Sequence, residues 1–219
     1  MPKFSVKSVI FDLDGTLVDT AKDLHAATNH VLEHHGRESV PLSAVKEDVG
    51  FGALRLLQKG FNRTGGCDGI DLESAKATFL DYYIENIAVH SSLFEGGEHM
   101  LESLAKANIS IGVCTNKPYK LAVKLLEDLG LSHFFAAIRG GDSFPFKKPD
   151  PRHLLETASL TGKGPYIMVG DASPDILAAK AANIPVIAAD YGYPDVDIKA
   201  LKPDATIQSL GEVAELVVS

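Results

Sequence analysis

Asp12-Leu13-Asp14-Gly15-Thr16 stands directly behind the apolar run Val9-Ile10-Phe11. Two carboxylates two residues apart, at the carboxyl end of a buried strand, leave the sheet at the edge where open α/β folds bind their ligands. Gly15 permits a sharp turn, and Thr16 can cap or bind through its hydroxyl. Two acids so placed repel each other unless a positive group such as a metal ion shares the space. Polar clusters follow three later apolar runs in the same way. Thr115-Asn116-Lys117 follows residues 109–114. Gly140-Gly141-Asp142 follows 136–139 and leads to Lys147-Lys148-Pro149-Asp150. Gly170-Asp171 follows 166–169, with Asp175 four residues on.

Taken singly, each has a plain alternative. Thr115 could cap the next helix, Lys148 could be a solvated loop lysine, and Asp171 could cap the helix that begins near Pro174. Taken together they bring three or four carboxylates, a hydroxyl, an amide and a lysine to one edge of a sheet. Hard oxygen donors without paired His or Cys suit Mg²⁺ rather than zinc. A hydroxyl, an amide and a lysine beside them suit a phosphoryl group.

The elements that must position these groups are legible from the apolar pattern. Residues 6–11 form a short apolar run without alternation, as in a central parallel strand buried on both faces. Leu24, Ala27, Val31 and Leu32 recur at helical spacing over 20–35, and Gly36 stops that helix. Ser43 is expected to cap a short helix ending near Asp48, residues 53–59 form another, and the Gly-rich stretch 65–69 is a loop. Asp71 is expected to cap the helix that carries Leu72, Ala75, Phe79, Tyr83 and Ile87. From about residue 92 helices and strands alternate. Helices are predicted at 97–107, 119–129, 151–160, 174–182 and 210–218, and strands at 109–114, 136–139, 166–169, 185–188 and 205–207. Such alternation predicts a parallel, Rossmann-like sheet with helices on both faces. Residues 18–91 offer no strand to that sheet and read as an inserted all-helical domain, leaving 1–17 and 92–219 as the α/β core.

Bulk properties narrow the function classes. The chain has 219 residues, ample for a real core, and 45% hydrophobic with 23% charged residues is ordinary globular composition. The net charge of −8 is spread without like-charge blocks, and Lys147-Lys148 is the only adjacent basic pair, so nucleic acid is not an expected partner. No run reaches transmembrane length and the N-terminus lacks a signal-peptide pattern, so no membrane partner is expected either. Two isolated cysteines, Cys67 and Cys114, fit a reducing compartment. A cytoplasmic enzyme, monomeric or homodimeric, fits best.

The motifs together resemble those of the haloacid dehalogenase superfamily, in the branch with a helical cap after the first motif. Asp12-x-Asp14-Gly15-Thr16 resembles its first motif, Thr115-Asn116 the second, Lys148-Pro149 the third, and Gly170-Asp171 with Asp175 the fourth. The spacing agrees: 103 residues from Asp12 to Thr115, 33 to Lys148 and 23 to Asp171. The resemblance implies a Mg²⁺-dependent phosphomonoesterase acting on a small phosphate ester. It makes Asp12 the nucleophile that forms an aspartyl-phosphate, and Asp14 the acid and base that moves protons. It gives Thr115 and Asn116 the phosphoryl oxygens, and Lys148 the charge on Asp12 and the phosphoryl group. Mg²⁺ would be held by Asp12, the Asp14 backbone carbonyl and Asp171, with Asp175 supporting from behind. Dehalogenase relatives lack an acid at the position of Asp14, so its presence argues for phosphate esters.

Within the superfamily, Val113–Pro118, Gly140–Ser143, Lys148–Pro151, Val169–Ser173 and Tyr191-Gly192-Tyr193 are similar to phrases of phosphoglycolate phosphatases. Related phosphatases of sugar phosphates, nucleotides or pyrophosphate share much of this core. A phosphomutase using the same aspartyl-phosphate is the alternative from another class, though Thr16-Leu17-Val18-Asp19 resembles the phosphatases more. In this branch the cap usually selects the substrate. Val49-Gly50-Phe51-Gly52-Ala53 resembles the cap's substrate-facing loop, with Phe51 where a small polar residue is expected. Phe51 and Arg55 are therefore candidate substrate contacts, and hinges are expected near residues 18–20 and 93–97. One rival motif remains. His30-Val31-Leu32-Glu33-His34 matches the inverted zinc-peptidase pattern, but Val31 and Leu32 fit the buried stripe of their helix and no third ligand follows.

Overall fold

A computed structural model describes residues 3–218. Its centre is a six-stranded sheet of β2 (Ser8–Phe11), β5 (Ser110–Cys114), β6 (Ala137–Arg139), β7 (Tyr166–Gly170), β8 (Val186–Ala189) and β9 (Ala205–Ile207). The order is β6-β5-β2-β7-β8-β9, and every pairing is parallel. The first strand is thus flanked on both sides, and all four residues of β2 are buried, which is why its sequence is apolar without alternation. Alternation persists in which face each side chain meets. Val9 and Phe11 join the cluster formed with α5 (Gly97–Lys106), α6 (Tyr119–Asp128) and α9 (Glu212–Leu216). Ile10 joins Cys114 and Met168 under α7 (Pro151–Thr161) and α8 (Ser173–Ala181).

Between the first and second strands of this sheet lie four helices: α1 (Ala21–His34), α2 (Leu42–Lys46), α3 (Ala53–Arg63) and α4 (Leu72–Glu85). They bury Leu32, Phe61, Phe79 and Tyr83 among themselves. Asp71 caps α4, accepting from the Glu73 and Ser74 N–H groups at 3.1 and 3.2 Å. The chain leaves and re-enters the α/β part through a small antiparallel ribbon, β3 (Val18–Asp19) paired with β4 (Ser92–Leu93).

The structure differs from the predicted boundaries in four places. The first strand, expected over 6–11, is shorter: only Ser8–Phe11 enters the central sheet, and a separate β1 (Phe4–Ser5) before it pairs in parallel with β10 (Val217–Val218). The terminal helix consequently stops at Leu216. Ser43 does not cap α2; Pro41 occupies the N-cap and accepts the Ala44 N–H at 3.0 Å, which places Ser43 inside the helix. Helix α3 runs four residues past Lys59, through Gly60. Gly60 is buried against Thr28 and Leu32 of α1, where a β-carbon would make van der Waals contact at 3.4 Å with both side chains, and the helix continues through it.

Candidate active site

Asp12 begins the turn after β2, with its N–H donated to the Val169 carbonyl at 2.9 Å. The chain then doubles back: the Leu17 and Val18 N–H groups both donate to the Leu13 carbonyl at 3.0 Å. Gly15 makes this possible, because its φ is +88° and a β-carbon there would collide with the Asp171 carboxylate and the Tyr193 ring. The turn leaves Asp12 and Asp14 both buried, at 5% and 7% exposure.

The other strand ends converge on Asp12. Lys148 is buried, with Nζ 2.9 Å from Asp12 Oδ1 and 2.6 Å from Asp175 Oδ1. The contact with Asp12 is one of charge and distance alone; its angle fails for a hydrogen bond, and Oδ1 has no hydrogen-bond partner. Burial alone would lower the Lys148 pKa, but Asp12 and Asp175 outweigh it and raise the value, so the ammonium stays charged. Asp175 also accepts the Ala172 N–H at 3.1 Å, at the start of α8. Asp171 is not the helix cap that its position before α8 suggests. Its carboxylate faces back to the first motif, accepting the Thr16 hydroxyl at 2.6 Å and the Tyr193 N–H at 2.8 Å.

Asp12, Asp171 and Asp175 each offer a ligand oxygen, and these oxygens lie within 4.8 Å of one another. Three buried carboxylates served by one lysine are electrostatically incomplete. Burial first, and then Asp175 and Asp12, push the Asp171 carboxyl well above the usual range. Burial likewise raises Asp175, against the pull of Lys148, to about 6. An all-oxygen, anionic, buried donor set whose carboxylates outnumber their lysine fits a hard divalent cation such as Mg²⁺. It is the only group of this kind among the described residues. The His30–His34 motif forms none: His30 is exposed and stacks on Tyr82 at 4.2 Å, while His34 meets His35 edge to face.

Thr115 lies buried beyond β5, its hydroxyl accepting the Lys117 N–H at 3.2 Å. Asn116 ties two loops together, its amide donating to the Lys148 carbonyl at 3.1 Å and the Gly50 carbonyl at 3.4 Å. The Asn116 Oδ1 is buried with no partner. Asp14 accepts the Thr20 hydroxyl at 2.8 Å and lies 2.9 Å from Lys117 Nζ.

Lys117 and Tyr83 are the residues that reading the sequence left without a role. Lys117 is as buried as the acids it serves, and its ammonium also donates to the Tyr83 hydroxyl at 2.7 Å. The available signal was its place in Thr115-Asn116-Lys117, directly after a strand. Tyr83 gave none, since it belongs to the apolar stripe of α4. Together with Asp14 they line a cavity of about 40 Å³ whose other walls include Leu24, Leu56, Phe79 and Leu121. A wider groove of about 710 Å³ adjoins it, sharing Leu80, Pro118 and Leu121.

Phe51 and Arg55 line neither space. The Arg55 guanidinium stacks on the Phe51 ring at 3.7 Å and its Nε reaches Asp48 at 3.3 Å. Both residues are thus engaged with the helical segment itself.

The family model for haloacid dehalogenase-like hydrolases matches residues 9–189, and the chain belongs to that family. Within it the protein is a phosphatase and resembles phosphoglycolate phosphatases. A phosphoglycolate phosphatase of Agrobacterium fabrum is 42% identical over 201 residues, spanning 90% of this chain and 86% of its own. One from Mesorhizobium japonicum is 39% identical over 202 residues, spanning 91% and 89%. The crystal structure of a predicted phosphoglycolate phosphatase from Haemophilus somnus matches with a TM-score of 0.88 at 30% identity, covering 95% of this chain and 96% of that one.

Proposed function

We propose that this phosphatase hydrolyses small phosphate monoesters, phosphoglycolate foremost, through an aspartyl-phosphate formed on Asp12. The observation that carries the reading is the buried group of Asp12, Asp171 and Asp175 clamped by Lys148 at the carboxyl edge of the sheet. Mg²⁺ held by Asp12, the Asp14 backbone carbonyl and Asp171, with Asp175 behind them, would neutralise charge on the phosphoryl oxygens. The Asp12 carboxylate attacks phosphorus and the bond to the leaving oxygen breaks, while Asp14 donates a proton to that oxygen. Asp14 then takes a proton from water, which attacks the phosphoryl group and restores the free Asp12 carboxylate. Thr115 and Asn116 bind phosphoryl oxygens, and Lys148 stabilises charge on Asp12 and on the group in transfer. Positioning and neutralisation of this kind are the main demands of phosphoryl transfer.

The phosphoglycolate assignment is supported by the named relatives and by the small volume next to Asp14. Residues 18–91 act as a cap over a core of 1–17 and 92–219. It opens for entry and closes for chemistry about the ribbon of β3 and β4, with Gly96 in the left-handed region at φ +80°. No helix among the described residues is long and apolar enough to cross a membrane. Cys67 and Cys114 are both free, which suits a reducing compartment, and we place the enzyme in the cytoplasm.

A panel of phosphate esters assayed for released phosphate, with Mg²⁺ and after chelation, tests the proposal. Phosphoglycolate is expected to give the highest kcat/KM, with activity lost on chelation and restored by Mg²⁺. A different preferred ester would reject the substrate; unchanged activity in chelator would reject the metal role.

A further inference from the structure

The cavity beside Asp14 is apolar apart from three side chains, and two of those have hydrogen-bond capacity to spare. Lys117 Nζ lies 2.9 and 3.2 Å from the two oxygens of the single Asp14 carboxylate, and 2.7 Å from the Tyr83 hydroxyl. An ammonium has three donors. One shared between the Asp14 oxygens and one directed at Tyr83 leave the third without an acceptor among the described residues. Tyr83 accepts from Lys117, and its own O–H donates to none of the described residues. Both side chains are almost wholly buried, where unspent donors are costly. Leu24, Leu56, Phe79 and Leu121 supply no acceptor.

Position defines what the missing acceptor belongs to. Asp14 lines this cavity, and a leaving oxygen must come within reach of the acid that protonates it, so the rest of the leaving alcohol lies beside Lys117 and Tyr83. At about 40 Å³ the cavity is too small for a sugar or a nucleoside, which leaves short chains as its occupants. Two convergent donors, one of them cationic, match the two oxygens of a carboxylate. The donors come from different parts of the chain: Lys117 follows β5, whereas Tyr83 lies on α4 of the helical insert.

We infer that Lys117 and Tyr83 together form the subsite for a carboxylate on the leaving alcohol, and so set a preference for short phosphorylated hydroxy acids over neutral esters of similar size. The inference rests on the phosphomonoesterase reading above. It moves substrate selection away from Phe51 and Arg55 to a pair completed only when α4 covers the sheet edge.

The test compares phosphoglycolate with ethyl phosphate, which keeps the two-carbon leaving chain and lacks the carboxylate. Lys117→Met is expected to lower the ratio of their kcat/KM values on the order of 100-fold, and Tyr83→Phe by about ten-fold. Lys117→Arg should recover part of the preference. Glycolate should inhibit the wild type and lose that effect in Lys117→Met. Melting curves establish that each variant is folded; if Lys117→Met is not, Tyr83→Phe and glycolate inhibition decide the matter. A ratio unchanged in the folded variants, or equal losses on both esters, would overturn the inference while leaving the phosphatase reading intact. A wild type that releases phosphate from neither ester would overturn both.

Discussion

Charges at the sheet edge and charges in the helical insert are balanced on different terms. At the edge, Asp12, Asp14, Asp171 and Asp175 share two ammonium groups, Lys117 and Lys148, so four carboxylates meet two positive charges in a buried space. In the insert, the buried Asp48 is paired with Arg55 at 3.3 Å and Arg63 at 3.1 Å, and Arg63 also reaches Glu47 at 2.9 Å. Two acids there meet two bases. The insert's other buried acid, Asp23, is satisfied by the His90 and Ser91 N–H groups and the Ser91 hydroxyl. A closed account of charge is what structure requires. An excess of carboxylates is what a divalent cation requires, and folding alone would not select it.

The comparison can be broken by neutralising one acid from each region. Asp12→Asn should lower kcat by on the order of 10⁴-fold or more while leaving the metal-free melting temperature unchanged or higher, because it relieves carboxylate crowding. Retained turnover would end the nucleophile assignment. A melting temperature that falls sharply would show the edge to be balanced like the insert. Gly15→Ala should come next: its β-carbon meets the Asp171 carboxylate at a positive φ, so thermal unfolding should show a loss of about 1–3 kcal/mol. Mg²⁺ affinity, read by the metal's effect on melting temperature, should weaken with it.

Asp48→Asn should act in the opposite sense to Asp12→Asn, costing about 1–2 kcal/mol of stability, since its arginine partners are partly exposed. Its kcat should stay within a factor of about three, consistent with a structural role. The smallest effect belongs to Arg55→Ala. With its guanidinium on Phe51 and Asp48, KM for phosphoglycolate should change by less than about two-fold. A ten-fold rise would return Arg55 to the substrate.

The two regions were also unequally legible. Asp12, Asp14, Thr115, Lys148 and Asp171 each follow a strand in the sequence, and a parallel sheet carries all its strand ends to one edge. Local pattern therefore predicts their meeting without any knowledge of side-chain contacts. Arg55 sits on α3 and Phe51 in the loop just before it, where the direction of a side chain depends on how the helix is docked. Spacing along the chain left Arg55 as either a substrate contact or a solvated surface arginine, and packing set it against Asp48. Tyr83 was disguised in the same way, as one more apolar position on α4.

What the sequence by itself determined is the order of strands and helices, the four polar clusters at strand ends and the oxygen-rich chemistry they share. Periodicity and residue type are local properties, and they suffice for that. Tertiary structure alone decided that Asp171 turns back to Thr16 and away from its helix, that Lys148 is gripped by two acids, and that Lys117 meets Tyr83 beside Asp14. Those contacts join residues 27 to 155 positions apart. No local pattern encodes such distances; they are fixed only when burial of the helices' apolar faces brings the two parts of the chain together.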